Sequence, residues 1–419
     1  MKNTRNAVLE YGIGLRDCTA AAPGLLMCLM TMIMLIADVI VPGMSDAQYT
    51  VYPAIFRIIN IICAGCGIFL ISRAVKGDGQ RVRPEVMLFG GFVICIIIST
   101  IINGFTREAL LGAPARYLGA PDFVICVLGF YGCSLYCSGS SLKGLILDLY
   151  LLVAACIAIL ATADRFLFQI DSFRNKSGIS AIFFHDNHYG YFLVMAVLIA
   201  AGYVICCAGK QRIYGYVSLI LNLGILALNQ TLGCIIAVGA ALFVLVIVHA
   251  VTKSRYLRRS AILFCSLVAM AVLLTLIYQP LREDVKQLLF DITTIGSGGN
   301  HGYAGHLRWL LWTETSGLIM QKPLAGYGCE GIRQYLLDTT GVANPHNEVL
   351  TYAAFFGIPA AAFYVIGVIA ALRRALTQAD QYAMSAGLAA TGYFISSLFG
   401  VGMFYTLPFL FILLGLSRD

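Results

Sequence analysis

Apolar runs of bilayer-spanning length follow one another along the chain, near 23–42, 51–72, 86–103, 119–138, 143–163, 188–207, 214–230, 232–250, 260–278, 347–372, 384–400 and 402–416. A hydrocarbon core about 30 Å thick takes about 17–25 residues of helix. The pattern therefore predicts an all-α, polytopic membrane helical bundle of about twelve transmembrane helices, with residues 1–419 forming a single integral membrane domain. The run at 119–138 contains Pro121 and Asp122 and the last two runs are short, so eleven to thirteen spans is the range. The polar stretches are short except for 164–187 and 279–346. A segment as long as the second is rarely a mere connection, and it is the candidate catalytic loop.

Composition agrees: 59% of the 419 residues are hydrophobic, 12% are charged and the mean hydropathy is +0.84, which excludes a soluble domain. Orientation follows from Lys and Arg, which cytoplasmic loops retain. With the N-terminus inside, 17 of the 28 basic residues fall in cytoplasmic segments, ten outside, and Arg57 within a span. Both termini are then cytoplasmic and the long loop between the ninth and tenth spans is external. The net charge of +7 serves topology and anionic lipid; with no aromatic-interleaved basic domain, no nucleic-acid partner is expected. The first run is full length and lacks a small-residue cleavage site, so it is expected to act as a signal anchor. The short cytoplasmic loops leave no room for a nucleotide-binding module. Most of the 14 cysteines lie in spans, and Cys63-Ala-Gly-Cys66 is expected to serve helix packing rather than redox chemistry.

The long loop opens with Gln279-Pro280 and a charged patch, passes a glycine-rich hinge at 296–305, and enters HLRWLLWTETSGLIMQ. Both tryptophans of the protein, Trp309 and Trp312, lie here on one helical face, which predicts an interfacial helix holding Arg308 at headgroup depth. KPLAGYGCEGIRQY follows, with Pro323, Gly326 and Gly328 suited to a tight turn. Then comes ANPHNEVLTYAAFFG. Asn344 is expected to cap the tenth span and Pro345 to open it, which puts His346 and Asn347 in the first turn. A helix N-terminus disfavours imidazolium and attracts anions, so a neutral His346 beside a phosphate-binding site is expected; an ordinary capped helix with a solvated His is the alternative.

The outside cations Arg116, Arg165, Arg174, Lys176, Arg308, Lys322 and Arg333 are candidates for phosphate contact or for lipid headgroups. Arg57, some six residues inside the second span, is an intramembrane charge and thus a candidate functional residue, or it snorkels. His185-Asp186-Asn187-His188 is read as a polar mouth of the sixth span that contacts sugar or phosphate. A metal there, with His301 and His306 as further ligands, lacks an identifiable closing ligand, so none is expected.

The order Arg308-Trp309, then Pro323-Leu-Ala-Gly326-Tyr-Gly328, then His346-Asn347 followed by Gly357, resembles the O-antigen ligase and O-antigen polymerase superfamily of bacterial membrane glycosyltransferases. Arg116-Tyr-Leu-Gly119 and FFHDNHYGYFL resemble further family elements, and the likeness covers about 100–370. Two positions depart from the family pattern. Thr231-Leu232-Gly233 stands where Ser-Arg-Gly is usual, and Ala360 replaces a glycine. The resemblance implies an enzyme needing neither cofactor, metal nor sugar nucleotide, on the outer face of a bacterial cytoplasmic membrane. It would move a glycan from an undecaprenyl-diphosphate-linked donor to a glycan or lipid acceptor. His346 would be general base, Arg308 would stabilise the leaving diphosphate, and Asn347 would orient His346 or a sugar. Arg116, Arg333, Arg57, His188 and Asn187 would contact substrate; either Arg116, Arg165 or Arg57 replaces the absent arginine or the donor site differs. A transporter or flippase of lipid-linked glycans is the competing reading, although no two-fold repeat is visible.

Overall fold

The structure, a computed structural model, describes residues 14–40, 45–77, 83–114, 116–137, 140–168, 179–183, 185–296, 304–305 and 307–418. Helices α1 (Leu15–Ile40), α2 (Ser45–Gly77) and α3 (Pro84–Asn103) are followed by a short α4 (Arg107–Leu111) and by α5 (Ala120–Ser134). Next come α6 (Ser140–Ala163), α7 (Asp186–Cys206), α8 (Gly209–Asn229), α9 (Leu232–Val251) and α10 (Leu257–Ile277). The long loop carries α11 (Gln279–Gly296), α12 (Arg308–Gln321) and α13 (Arg333–Thr340), and the chain closes with α14 (Glu348–Phe356), α15 (Ile358–Ala375), α16 (Gln381–Ser397) and α17 (Leu407–Leu416). Among the described residues nine helices are long and apolar enough to cross a membrane; the runs at 119–138, 384–400 and 402–416 form shorter ones. The protein is a polytopic helical membrane bundle.

Helix α7 is the axis of the bundle, buried along nearly its whole length between α8 and α16. Small residues set the closest helix approaches. A Cβ on Gly129 of α5 would lie 3.1 Å from Cys63 of α2, so the Cys63–Cys66 segment packs as its small residues suggest.

Two expectations are corrected. The span at 347–372 is broken at Gly357, which has φ +94° and separates α14 from α15. The break frees carbonyls that a continuous helix would occupy, and the PLAGYG segment fills them. The Tyr327 and Gly328 N–H groups donate to the Ala354 and Phe355 carbonyls (both 2.8 Å), and the Ile358 N–H donates to the Pro323 carbonyl (2.7 Å). A side chain on Gly326 (φ +63°) would collide with the Phe355 carbonyl and one on Gly357 with that of Leu324. Irregular backbone at membrane depth needs this kind of satisfaction from within the protein. The charged patch after Gln279 belongs to an 18-residue helix, α11. Second, α12 buries Leu311, Thr315, Leu318 and Ile319 against the protein, and its two tryptophans divide: Trp309 is 40% exposed while Trp312 turns inward. The helix packs on α13 and α14.

Candidate functional site

At one end of the bundle the turn before α5, the mouth of α7, the loop before α14 and the segment between α16 and α17 enclose a cavity of about 220 Å³. Its lining includes Arg116, Asn187, His188, Arg333 and His346, five residues picked out from sequence at separations of up to 230 positions (346 − 116 = 230). His185, from the polar mouth read at the sixth span, also lines it, as do Tyr191 and Glu330, which sequence reading passed over.

The backbone around His346 differs from the expected helix start. Asn347, not Asn344, is the N-cap: its Oδ1 accepts from the Leu350 N–H (3.0 Å) and α14 begins at Glu348. Asn344 instead accepts from the His346 N–H (3.2 Å) in an Asx turn, and His346 takes a left-handed φ of +50°. A non-glycine residue held there is strained, and the strain points the imidazole into the cavity rather than along the helix. Burial, then the nearby Arg308 charge, then His185, lower the His346 pKa to about 4. The imidazole is neutral at physiological pH, as expected, but from these causes rather than from the first turn of a helix.

Arg308 opens α12, half-buried, with Nη1 donating to the Gly305 carbonyl (3.4 Å) and a buried Nε without a partner. It does not line the cavity, yet it lies within electrostatic reach of His346, Tyr191 and Cys234. Trp312 links this helix to the catalytic candidate by donating its indole N–H to the Pro345 carbonyl (3.0 Å), directly before His346.

Arg116 is 6% exposed and lies against the rings of Phe123 and Phe355 (5.5 and 5.2 Å to the centroids). Its Nη1 pairs with Glu330 (3.2 Å), its Nε donates to the Gly402 carbonyl (3.4 Å), and its Nη2 is buried without a partner. Below it Glu348, 1% exposed, receives the hydroxyls of Tyr393 (3.3 Å) and Tyr364 (3.4 Å). A side chain on Gly402 would collide with the Glu348 carboxylate, so the non-helical segment before α17 must be small there. Neither acid was picked out from sequence. The signal present was an acidic residue in an otherwise apolar setting, which needs a buried partner, and only the fold shows that Arg116 is that partner for Glu330.

Other candidates sort differently. Arg57 Nη2 donates to the Leu111 carbonyl (2.8 Å) at the end of α4, away from the cavity lining, so this intramembrane charge ties α2 to the turn that carries Arg116. His188 Nδ1 lies 2.7 Å from the Tyr405 hydroxyl, which leaves the other ring nitrogen for the cavity. Asn187 lends its backbone N–H to His185 Nδ1 (3.2 Å) and its side chain to the lining. Arg165 is exposed. Leu232 begins α9, whose first turn packs on Gly190 of α7 through Cys234. Arg174, Lys176, His301 and His306 lie outside the described residues.

The arrangement combines an uncharged, accessible imidazole with guanidinium groups that retain unused donors, at one end of an apolar bundle. It can accept a proton and bind an anion side by side. A family model described as O-antigen ligase matches residues 217–365, a stretch that contains α12, the PLAGYG segment, His346 and the break at Gly357. No curated protein matches the chain. The matched segment and the helical membrane architecture support a likeness to the O-antigen ligase/polymerase superfamily.

Proposed function

We propose that the protein is a metal- and nucleotide-independent glycosyltransferase of surface polysaccharide biosynthesis. It moves an oligosaccharide from undecaprenyl diphosphate to an acceptor hydroxyl on the outer face of a bacterial cytoplasmic membrane. The observation that carries this reading is the neutral His346 sharing one cavity with Arg116 and Arg333 and lying within the field of Arg308. The acceptor oxygen attacks the sugar carbon bonded to phosphate. His346 takes the hydroxyl proton as the new glycosidic bond forms, and the carbon–oxygen bond to phosphate breaks with its electron pair passing to the diphosphate. Arg308 and Arg116 stabilise that charge. Arg116, among the cations considered for the absent arginine at Leu232, is the one on the cavity. Asn347 supports His346 by capping α14 rather than by touching it, since its side-chain oxygen is committed to Leu350. Arg333, His188 and Asn187 contact the sugars or the phosphates.

The bond energy of the donor drives transfer, in keeping with short connections that carry no nucleotide-binding module. The helix ends around the cavity are those that the Lys and Arg distribution assigns to the outside. The test is in vitro: purified protein with a carrier-linked oligosaccharide, without metal or nucleotide, reading product size and released undecaprenyl diphosphate. Laddered products identify a polymerase and single transfer a ligase. No released carrier in wild type overturns the reading, and full turnover in His346→Ala overturns the assignment of the base.

A further inference from the structure

The Arg116–Glu330 pair is poorly explained as a brace. Both side chains are almost wholly buried, at 7% and 4% exposure, yet one guanidinium nitrogen is left without a partner on the wall of the cavity. A single contact of 3.2 Å uses half of a planar fork made for two parallel bonds. Glu330 itself is held there by a left-handed backbone, φ +61°, between Gly328 at φ +82° and Gly331. Strain of this kind in a non-glycine residue persists where the surrounding structure imposes it, and it clusters at ligand sites. The rings of Phe123 and Phe355 against Arg116 help to hold its guanidinium in place, so an incoming anion meets a positioned group with one nitrogen vacant.

We propose that Glu330 is a stand-in for the donor's diphosphate. It holds Arg116 in the empty cavity, and donor binding moves the guanidinium onto phosphate oxygens while Glu330 takes up one proton from solvent. The proposal rests on the glycosyl-transfer reading and deepens it by placing the anion subsite at Arg116. The proton is required by charge. Both phosphates of a glycan-linked diphosphate are diesters that stay ionised near neutrality, and they cannot share a cavity of about 220 Å³ with a carboxylate that has lost its counter-ion. Once protonated, Glu330 becomes a hydrogen-bond donor to the phosphate instead of a competing anion.

The surroundings favour this. Burial already raises the Glu330 carboxyl above the usual range, opposed by Arg116 and Arg333, while Glu108 pushes in the same direction as burial. Moving Arg116 onto phosphate weakens the largest opposing influence. His346, His185 and His188 face the same cavity, and Glu348 lies within the field of Arg116; these are the other groups that an incoming anion could protonate, so the test must identify the group as well as the proton.

The probe is a short-chain prenyl-diphospho-N-acetylglucosamine, whose phosphates do not titrate near neutrality. Binding heats to the purified full-length protein are measured at pH 7 in buffers of differing ionisation enthalpy, and affinity is followed from pH 6 to 8. Wild type is expected to take up about one proton, with affinity falling by up to about tenfold per pH unit. Glu330→Gln, which mimics the neutral acid, is expected to bind more tightly than wild type at pH 8, with a flat pH dependence and no uptake. An infrared difference spectrum of wild type on adding probe, which needs no variant, should lose a carboxylate band and gain a protonated carboxyl band. Binding without uptake, uptake that survives in Glu330→Gln, or uptake without the new carboxyl band each overturns the proposal and leaves glycosyl transfer standing. Absence of any binding to wild type overturns both.

Discussion

Two buried cations at opposite ends of the bundle, Lys143 and Arg116, are held in different ways. At the end away from the cavity, Lys143 pairs with Asp380 (2.9 Å) and also donates to the Arg418 carbonyl, while the other Asp380 oxygen caps α16 through the Tyr382 N–H (2.9 Å). At the cavity end, Arg116 keeps a free nitrogen and Arg308 a free Nε. Backbone strain follows the same division. Of the seven described non-glycine residues with positive φ, six (Tyr117, Ala181, Gln230, Leu307, Glu330 and His346) lie on segments at the cavity end, and Lys253 alone lies at the other. A buried cation whose every nitrogen has a partner acts as a clamp. A charge with donors to spare, on a backbone that the fold must force, is prepared to meet something else.

That contrast can be broken most sharply at His346. His346→Ala is expected to lower transfer by about 10²–10⁴-fold with the bundle still folded, measured by single-turnover release of carrier. Because the folded-state pKa of His346 is lowered to about 4, the base is already deprotonated well below neutrality. The acid limb of kcat/KM belongs near that value, and the limb of kcat lies higher, since bound diphosphate favours the imidazolium. At the other end, Lys143→Ala is expected to cost about 3–5 kcal/mol of stability by stranding Asp380, read from detergent unfolding. Transfer per folded molecule should be unchanged. Equal loss of activity in the Lys143 and His346 variants would erase the distinction between clamp and site.

Smaller effects sharpen the boundary. Gly357→Ala forces a side chain onto a backbone at φ +94° and against the Leu324 carbonyl. It is expected to destabilise by about 1–3 kcal/mol and to lower activity with it, since the PLAGYG segment that carries Glu330 docks on that break. Trp312→Phe keeps the ring but removes the bond to the Pro345 carbonyl. A stability loss of about 1 kcal/mol should accompany a larger relative loss in kcat than in carrier affinity, because the variant frees the backbone beside His346 and leaves the phosphate contacts alone.

Much of the site was legible in the sequence because its parts lie at helix boundaries, where polar residues interrupt apolar runs. His346, Arg116, Arg333, Asn187 and His188 all stood out in this way and all reach one cavity. Glu330 and Glu348 did not, because an acid in a loop or in the first turn of a helix is unremarkable until its burial is known. Arg57 stood out for a sound reason, a charge at membrane depth, yet its donor is taken up by the end of α4. Asn344 and Asn347 are both good caps, and composition alone could not say that the helix starts after the second.

Hydropathy by itself determined the number and order of the helical runs and the all-α class, because hydrocarbon demands long stretches that satisfy their own backbone. The charge pattern likewise set the expected orientation. The tertiary structure alone decided the break at Gly357, the inward turn of Trp312, the left-handed backbone at His346 and the pairing of Arg116 with Glu330. Each depends on contacts between segments far apart in the chain. Local periodicity carries no information about which carbonyl, ring or counter-ion will be waiting there.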